Sequence, residues 1–444
     1  MALLRPFHIT HYRQDLNAEL DKLITPPYDV ISSEEQESFY QSHPLNIIRL
    51  VLGKQYETDS ETDDRYTRAA TTLREWMEQG VLVSEKEPGL AVYQMQFQVP
   101  EGGFQTIDGI VGLVKVDDYG RGKVLPHEKT YEGPKEDQLR LLRACRSNLT
   151  PIHGLFDDES NVMVQVYRSV LKEEPRYEIR DADGSIHRVW MIKDEAVLSR
   201  IIDFMAGKSI FIADGHHRYE TARAFKAEME RSQEPVPGRD HEFVMMYLTA
   251  MNHPGLTILP AHRMVKGLED FDLTKTLERL SASFEIEELC AWNGDKGEAS
   301  RKMLERLKAG AAEGGRFGLA AHGDECLRLL KLKDSASIDE FISPEIPSSL
   351  RDLDVTILGE LILGHGFGLD KASCEGRIEY SPLAQEALKK ALGGKVQLSF
   401  ILNPTRVDQM RAAAELGHKL PHKSTYFYPK LSSGLILNVF DTKQ

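Results

Sequence analysis

What the chain lacks narrows its function first. No segment approaches the ~20 apolar residues that cross a bilayer. The opening Met1-Ala2-Leu3-Leu4-Arg5-Pro6-Phe7-His8 carries too short an apolar run for a secretory signal. Both absences predict a cytoplasmic protein with no membrane partner. The four cysteines, Cys145, Cys290, Cys326 and Cys374, include no Cys-x-x-Cys pair. That argues against a zinc ribbon or knuckle, so no protein metal site is assigned and free thiols in a reducing compartment are expected. Basic excess is missing too: 55 Lys+Arg face 69 Asp+Glu, for a formal net charge of −14. A protein that coats nucleic acid needs a basic face to displace counterions. No nucleic-acid partner is therefore expected, although a local basic pocket for a small anion remains open. The Gly-x-Ser-x-Gly elbow, His-Glu-x-x-His, the deaminase Pro-Cys-x-x-Cys and the Walker spacing are all absent.

What is present is a chain of 444 residues, 41% hydrophobic and 28% charged, as in an ordinary soluble globular protein. That length exceeds one ordinary core. Two domains are expected, 1–264 and 265–444, the second a C-terminal α/β domain. Patterning predicts helices over 62–80 and 136–146, strands over 90–99 and 107–116, and a buried strand over 243–251. Beyond 264, helical patterns at 273–283, 299–312, 355–363, 384–392 and 407–416 alternate with strands near 317–321, 327–332, 377–380 and 396–401. The glycine-rich 364–368 reads as a loop, and a last strand is expected over 435–440.

The most informative segment is Ile210-Phe211-Ile212-Ala213-Asp214-Gly215-His216-His217-Arg218-Tyr219-Glu220-Thr221-Ala222. A short apolar run of the buried-strand type ends at Asp214-Gly215, and helical composition follows. Glycine permits a tight turn and close approach of a ligand to the backbone. The helix start offers unpaired N–H groups and the positive end of its dipole, and Arg218 adds a forked donor suited to phosphate. Asp214 could hold a substrate hydroxyl or a metal-bound water. The two histidines are titratable; His217 is grouped with the catalytic candidates Asp214 and Glu128. Gly215, His216, Arg218, Tyr219 and Thr221 are grouped as nucleotide- and phosphate-binding candidates. Asp214 capping a helix beside ordinary histidines is the bland alternative.

Other segments offer polar groups. His127-Glu128-Lys129 places a carboxylate between two potential cations just after a strand, so Glu128 could act as general base if the fold brings it near a hydroxyl. A solvated loop is the equal alternative. Tyr28 and Asp29, behind the stiff Pro26-Pro27, either shape a pocket or form a packing turn. Asn148 follows a helix and is a further pocket candidate or part of a helix-ending turn. Lys423, Ser424 and Thr425 could bind phosphate, although the aromatic run after them reads more simply as core.

The box at 213–222 resembles the second conserved box of the ParB/sulfiredoxin-like superfamily, and its Asp-Gly-His-His-Arg form resembles the free-serine kinases there. The whole chain is similar to a large bacterial and archaeal family of unknown function. Its marks are Pro26-Pro27-Tyr28-Asp29-Val30-Ile31, His127-Glu128-Lys129-Thr130, the Asp-Gly-His-His-Arg box and Lys423-Ser424-Thr425-Tyr426-Phe427-Tyr428-Pro429-Lys430. The resemblance implies an α/β (α+β) fold with a ParB/sulfiredoxin-like mixed-sheet core. It implies a kinase making O-phosphoserine from a nucleotide and free L-serine. In that reading Glu128 deprotonates the hydroxyl, Asp214 assists, and Gly215 to Arg218 hold phosphates. ATP or ADP is the implied donor, with Mg2+ as phosphoryl transfer usually requires. His216 stands where sulfiredoxin needs cysteine, which argues against sulfinic-acid reduction. Two other readings remain: a nucleotide-gated ParB-like binding protein, and a metal-assisted phosphoester or nucleotide hydrolase. Whether the chain forms a homo-oligomer stays open.

Overall fold

The computed structural model describes residues 3–100, 102–117, 122–232, 237–269, 271–290, 296–324, 326–333, 341–369 and 376–440. The chain forms two compact units, Met1–Thr257 with Pro429–Gln444, and Ile258–Tyr428. The expected division at 264 assigned the whole C-terminal stretch to the second domain. The chain instead rejoins the first unit at Pro429.

The first unit is built on a mixed sheet of β1 (Leu4–Arg5), β2 (Leu90–Gln98), β3 (Phe104–Lys115), β4 (Val124–Leu125), β5 (Ile152–Phe156), β6 (Tyr177–Arg180), β7 (Ile186–Ile192), β8 (Ile210–Asp214) and β9 (Phe243–Ala250). The spatial order is β4-β8-β5-β9-β3-β2-β7-β6, with β1 also on β3. β4 runs parallel to β8 and β5 parallel to β9, while the other neighbours are antiparallel. The strands at the centre are buried on both faces, which is why β9 reads as the unbroken run Phe-Val-Met-Met-Tyr-Leu-Thr-Ala. β2 alternates only in its second half, where one face becomes more accessible.

Five helices of this unit matter for the site: α1 (Arg65–Glu78), α2 (Glu132–Cys145), α3 (Val162–Val170), α4 (Glu195–Met205) and α5 (His216–Ser232). Met163, Val166 and Tyr167 of α3, Ile201 and Met205 of α4, and Tyr219 and Ala222 of α5 share one core with Val92, Ile110, Ile152, Ile212 and Met246. α2 packs along α5 through Leu139, Leu142 and Phe225, joined by Phe440 from the C-terminal segment. Arg143 grips Glu228 with two hydrogen bonds, of 3.0 and 2.6 Å. The elements α3, β6, β7 and α4 are not marked by the sequence patterns above. Val-Met-Val-Gln-Val in α3 is rich in β-branched residues, and helix is chosen there by packing.

The last strand is shorter than expected. Only Asn438–Val439 forms a ladder, against Ser147–Asn148. Leu437 bridges to Thr10 and Ser433 to Thr25. The segment is thus pinned residue by residue among three other parts of the unit.

The second unit holds an antiparallel sheet of β10 (His262–Val265), β11 (Phe284–Cys290), β12 (Arg316–Ala321), β13 (Cys326–Leu332), β14 (Ile378–Ser381) and β15 (Leu398–Leu402), in the order β11-β13-β12-β15-β10-β14. Helices α6 (Lys296–Ala309) and α7 (Ala384–Leu392) supply Met303, Leu307, Leu388 and Ala391 to its core. Two expectations are corrected here. The glycine-rich loop at 364–368 is mostly helical, Leu358–Gly366. Burial of Leu358, Leu361 and Ile362 outweighs the low helix propensity of glycine. A Cβ at Gly366 would lie 2.7 Å from Leu280 Cδ2, so a larger residue there would make the Leu280 side chain shift. The cysteines are also not all free: Cys290 and Cys326 face each other across β11 and β13 and are joined as a disulfide. Cys145 is free and buried, and Cys374 lies outside the described residues.

Candidate functional site

The site follows from one ladder. β4 and β8 pair in parallel with Leu125 opposite Phe211. Three residues beyond Leu125 is Glu128, and three beyond Phe211 is Asp214. Two parallel neighbours run towards the same edge, so both residues, 86 positions apart, follow the same end of one ladder. Carboxyl ends of strands are the usual place for a ligand in α/β sheets.

At Gly215 the chain turns with φ +91 and enters α5 immediately. A Cβ there would sit 2.9 Å from Arg218 Cζ, so glycine is required by both the dihedral and the guanidinium. The first turn of α5 contains no acidic residue. Helix starts usually recruit acids; this one presents His216, His217 and Arg218.

Asp214 is held by two cations. Arg218 Nη2 donates to its Oδ2 at 2.8 Å, and Lys430 Nζ donates to its Oδ1. The side chains of Arg218, Asp214 and Lys430 are 10%, 15% and 15% exposed, so solvent screens them poorly. One carboxylate thus meets two cations here. Burial pushes the Asp214 carboxyl up, but Lys430 and Arg218 outweigh it and hold the group well below the usual carboxylate range. Arg218 Nη1 also donates to the Pro151 carbonyl. Across the ladder, Asp214 faces His153. Burial, countered by Asp214 and reinforced by Lys430 and Arg218, lowers His153 to about 4. It is therefore neutral at pH 7.

The two histidines of the box engage the loop that carries Glu128. The His127 amide donates to His216 Nε2 at 3.3 Å, and the Tyr131 amide donates to His217 Nε2 at 3.0 Å. His216 Nδ1 lies 3.7 Å from Glu128 Oε2, with the Glu128 side chain 31% exposed. The rings of His127 and His216 meet edge to face at 4.6 Å, and Tyr131 stacks over His217 at 6.4 Å. Lys129, the next residue, is exposed.

Beside the box, Tyr28, Gln138, Asn148, Thr150, Arg218 and Thr221 line a small cavity of about 50 Å³. Burial pushes the Tyr28 phenol up, with Asp29 adding to the effect and Arg218 opposing it. Asp29 itself is exposed. Other sequence candidates have structural employment. Asn148 Oδ1 accepts from the Met245 amide at 3.1 Å and from Asn438 Nδ2 at 3.0 Å. Tyr219 is fully buried and accepts from the Asp117 amide at 3.1 Å. Thr221 Oγ1 donates to the Lys135 carbonyl at 3.3 Å. Lys423, Ser424 and Thr425 fall in the second unit. There Lys423 has φ +56 and Ser424 Oγ donates to the Pro421 carbonyl at 2.5 Å. Lys430 and His153 are the residues the sequence candidates omitted. The only signal for Lys430 was its place at the end of the Tyr-Phe-Tyr-Pro-Lys mark.

Magnesium asks for oxygen ligands in near-octahedral array, usually with one or two carboxylates. Both oxygens of Asp214 are taken by cations, and Glu128 lies against His216. These residues do not fit a protein-built magnesium cage. Among the described residues, the one cluster of three metal-ligating residue types is Glu288, Cys290 and Cys326, in the second unit, and its two sulfurs are joined in the disulfide. No helix among the described residues is long and apolar enough to cross a membrane.

A mixed sheet whose parallel strand ends lead into a glycine turn and a helix start bearing His216, His217 and Arg218 defines the class of site. The chain belongs to the family described as a protein of unknown function (DUF1015), which matches residues 4–356. No curated protein matches it. Among solved structures it is similar to a free serine kinase in complex with AMP, at 15% identity and a TM-score of 0.34, covering 74% of this chain and 90% of that one. A mutant of a free serine kinase in complex with ADP gives 14% identity and a TM-score of 0.35, over 74% and 91%. A conserved hypothetical protein from Pyrococcus furiosus gives 14% identity and a TM-score of 0.31, over 72% and 92%.

Proposed function

We propose that this protein is a cytoplasmic small-molecule phosphotransferase that moves a phosphoryl group from a nucleotide to the hydroxyl of free L-serine. The observation that carries the reading is the β4–β8 ladder, which leads into Glu128 on one strand and on the other into Asp214 with Arg218 and Lys430 on its carboxylate. Phosphoryl transfer asks for two things from a protein: neutralisation and positioning of phosphates, and a base at the acceptor hydroxyl. Arg218, Lys430 and the start of α5 offer the first. Glu128, partly exposed with His216 Nδ1 3.7 Å from its Oε2, offers the second. Asp214 orients Arg218 and Lys430 and does not itself take the proton.

In the proposed step the serine hydroxyl oxygen attacks the terminal phosphorus of ATP or ADP. A new O–P bond forms as the bridging P–O bond breaks. The shortened nucleotide leaves, and the hydroxyl proton passes to Glu128. The identity of serine as acceptor rests on the resemblance of the Asp-Gly-His-His-Arg box to the free-serine kinases. Magnesium, where used, would arrive on the nucleotide phosphates.

The test is phosphorus NMR of the purified protein with ATP or ADP, with and without magnesium, against free amino acids and small alcohols. A phosphomonoester signal that appears only with L-serine is the expected result. Nucleotide loss without an acceptor would make the protein a hydrolase. Nucleotide binding without turnover would leave a nucleotide-gated binding protein.

A further inference from the structure

We infer that His216 and His217 form a latch that positions Glu128, and that neither is a phosphate ligand or a proton-transfer group. Both histidines project from the first turn of α5, and each spends Nε2 on a backbone amide of the loop after β4. The two amides belong to His127 and Tyr131, which bracket Glu128. The loop is therefore fastened on both sides of the carboxylate. Rings close the clamp, His127 against His216 and Tyr131 against His217.

The hydrogen bonds also fix the tautomer of His216. A nitrogen that accepts from an amide carries no proton, so neutral His216 carries its proton on Nδ1. That nitrogen faces Glu128 Oε2 at 3.7 Å. The geometry sets the imidazole N–H against one side of the carboxylate. A loop of polar residues beside a helix start would otherwise be free to move, and a base displaced by about 1 Å loses much of its effect. The inference explains why two consecutive histidines are used: one fastens each side of the same short loop. Its catalytic consequence rests on the phosphotransferase reading; the latch itself does not.

The test compares the wild type with the pair His216→Leu/His217→Leu and the pair His216→Gln/His217→Gln. The Gln Oε1 can accept where Nε2 did, whereas Leu cannot. Amide hydrogen exchange over residues 126–132 is measured without substrate. Exchange at His127 and Tyr131 should quicken about tenfold in the Leu pair, as loss of one hydrogen bond each implies, and stay near wild type in the Gln pair. Turnover should follow the same order, with kcat falling in the Leu pair, KM for nucleotide little changed, and the Gln pair restored. Unchanged protection in a folded Leu pair overturns the latch. So does a Gln pair that exchanges as fast as the Leu pair. Single variants carry the same test where the pair does not fold. If the wild type transfers no phosphate, the exchange arm still decides the latch and only the proposed reaction fails.

Discussion

A carboxylate that accepts from two cations is a poor proton acceptor, and this separates the two acids of the site. Asp214 is pinned between Arg218 and Lys430, while Glu128 lies against His216. Asp214→Asn should abolish turnover, because Arg218 and Lys430 lose the group that orients them. It should also lower stability by on the order of 2 kcal/mol, between the values for exposed and buried pairs, as read by urea unfolding. The folded Asp214 is depressed. Its contribution is therefore complete above the unfolded carboxylate range and is lost as pH falls well below it. His153 has the opposite chemistry and the same sign. Its folded value of about 4 lies below the ordinary imidazole value of about 6.5. Between those values the unfolded chain binds a proton that the folded chain refuses, so stability falls as pH drops through that window. His153→Asn should flatten that acid limb; an unchanged dependence would remove His153 as its source. The Asp214–Arg218 pair was legible in the sequence because both ends lie within five residues. Lys430 was not, since 216 positions separate it from Asp214 and only the fold closes that distance.

At the scale of elements, the site is made by a strand, a turn and a helix that had to be contiguous, and by a short strand that did not. The sequence pattern of β8 and α5 announced the first part: a buried run, a glycine and a helical face. The parallel partner β4 is two residues long and carries no periodicity. The pairing that puts Glu128 and Asp214 beyond the same end of one ladder could therefore not be read from pattern, and the bond network that fastens the Glu128 loop was equally hidden. Gly215→Ala tests the turn. It would place a left-handed strain at φ +91 and push Arg218 aside. Nucleotide affinity by calorimetry should weaken about tenfold or more. Unchanged affinity would move the phosphate site elsewhere.

At the scale of the molecule, the chain leaves the first unit after Thr257 and returns at Pro429. The returning segment supplies Lys430 to Asp214, Asn438 to Asn148 and Phe440 to the α2–α5 core. Patterning read it as the end of the second domain because its own contacts are almost all distant in sequence. Truncation after Tyr428 should therefore destabilise the first unit, seen as a lower Tm by circular dichroism. An unchanged Tm would show that the segment only rests on the surface. The central claim joins these scales: one strand-end edge holds both the anion site and the base. Its most direct test is single-turnover transfer to L-serine by Glu128→Gln at saturating nucleotide. The account predicts transfer at least ~100-fold slower than wild type, with saturation at the same nucleotide concentration. Transfer within a few-fold of wild type would contradict it.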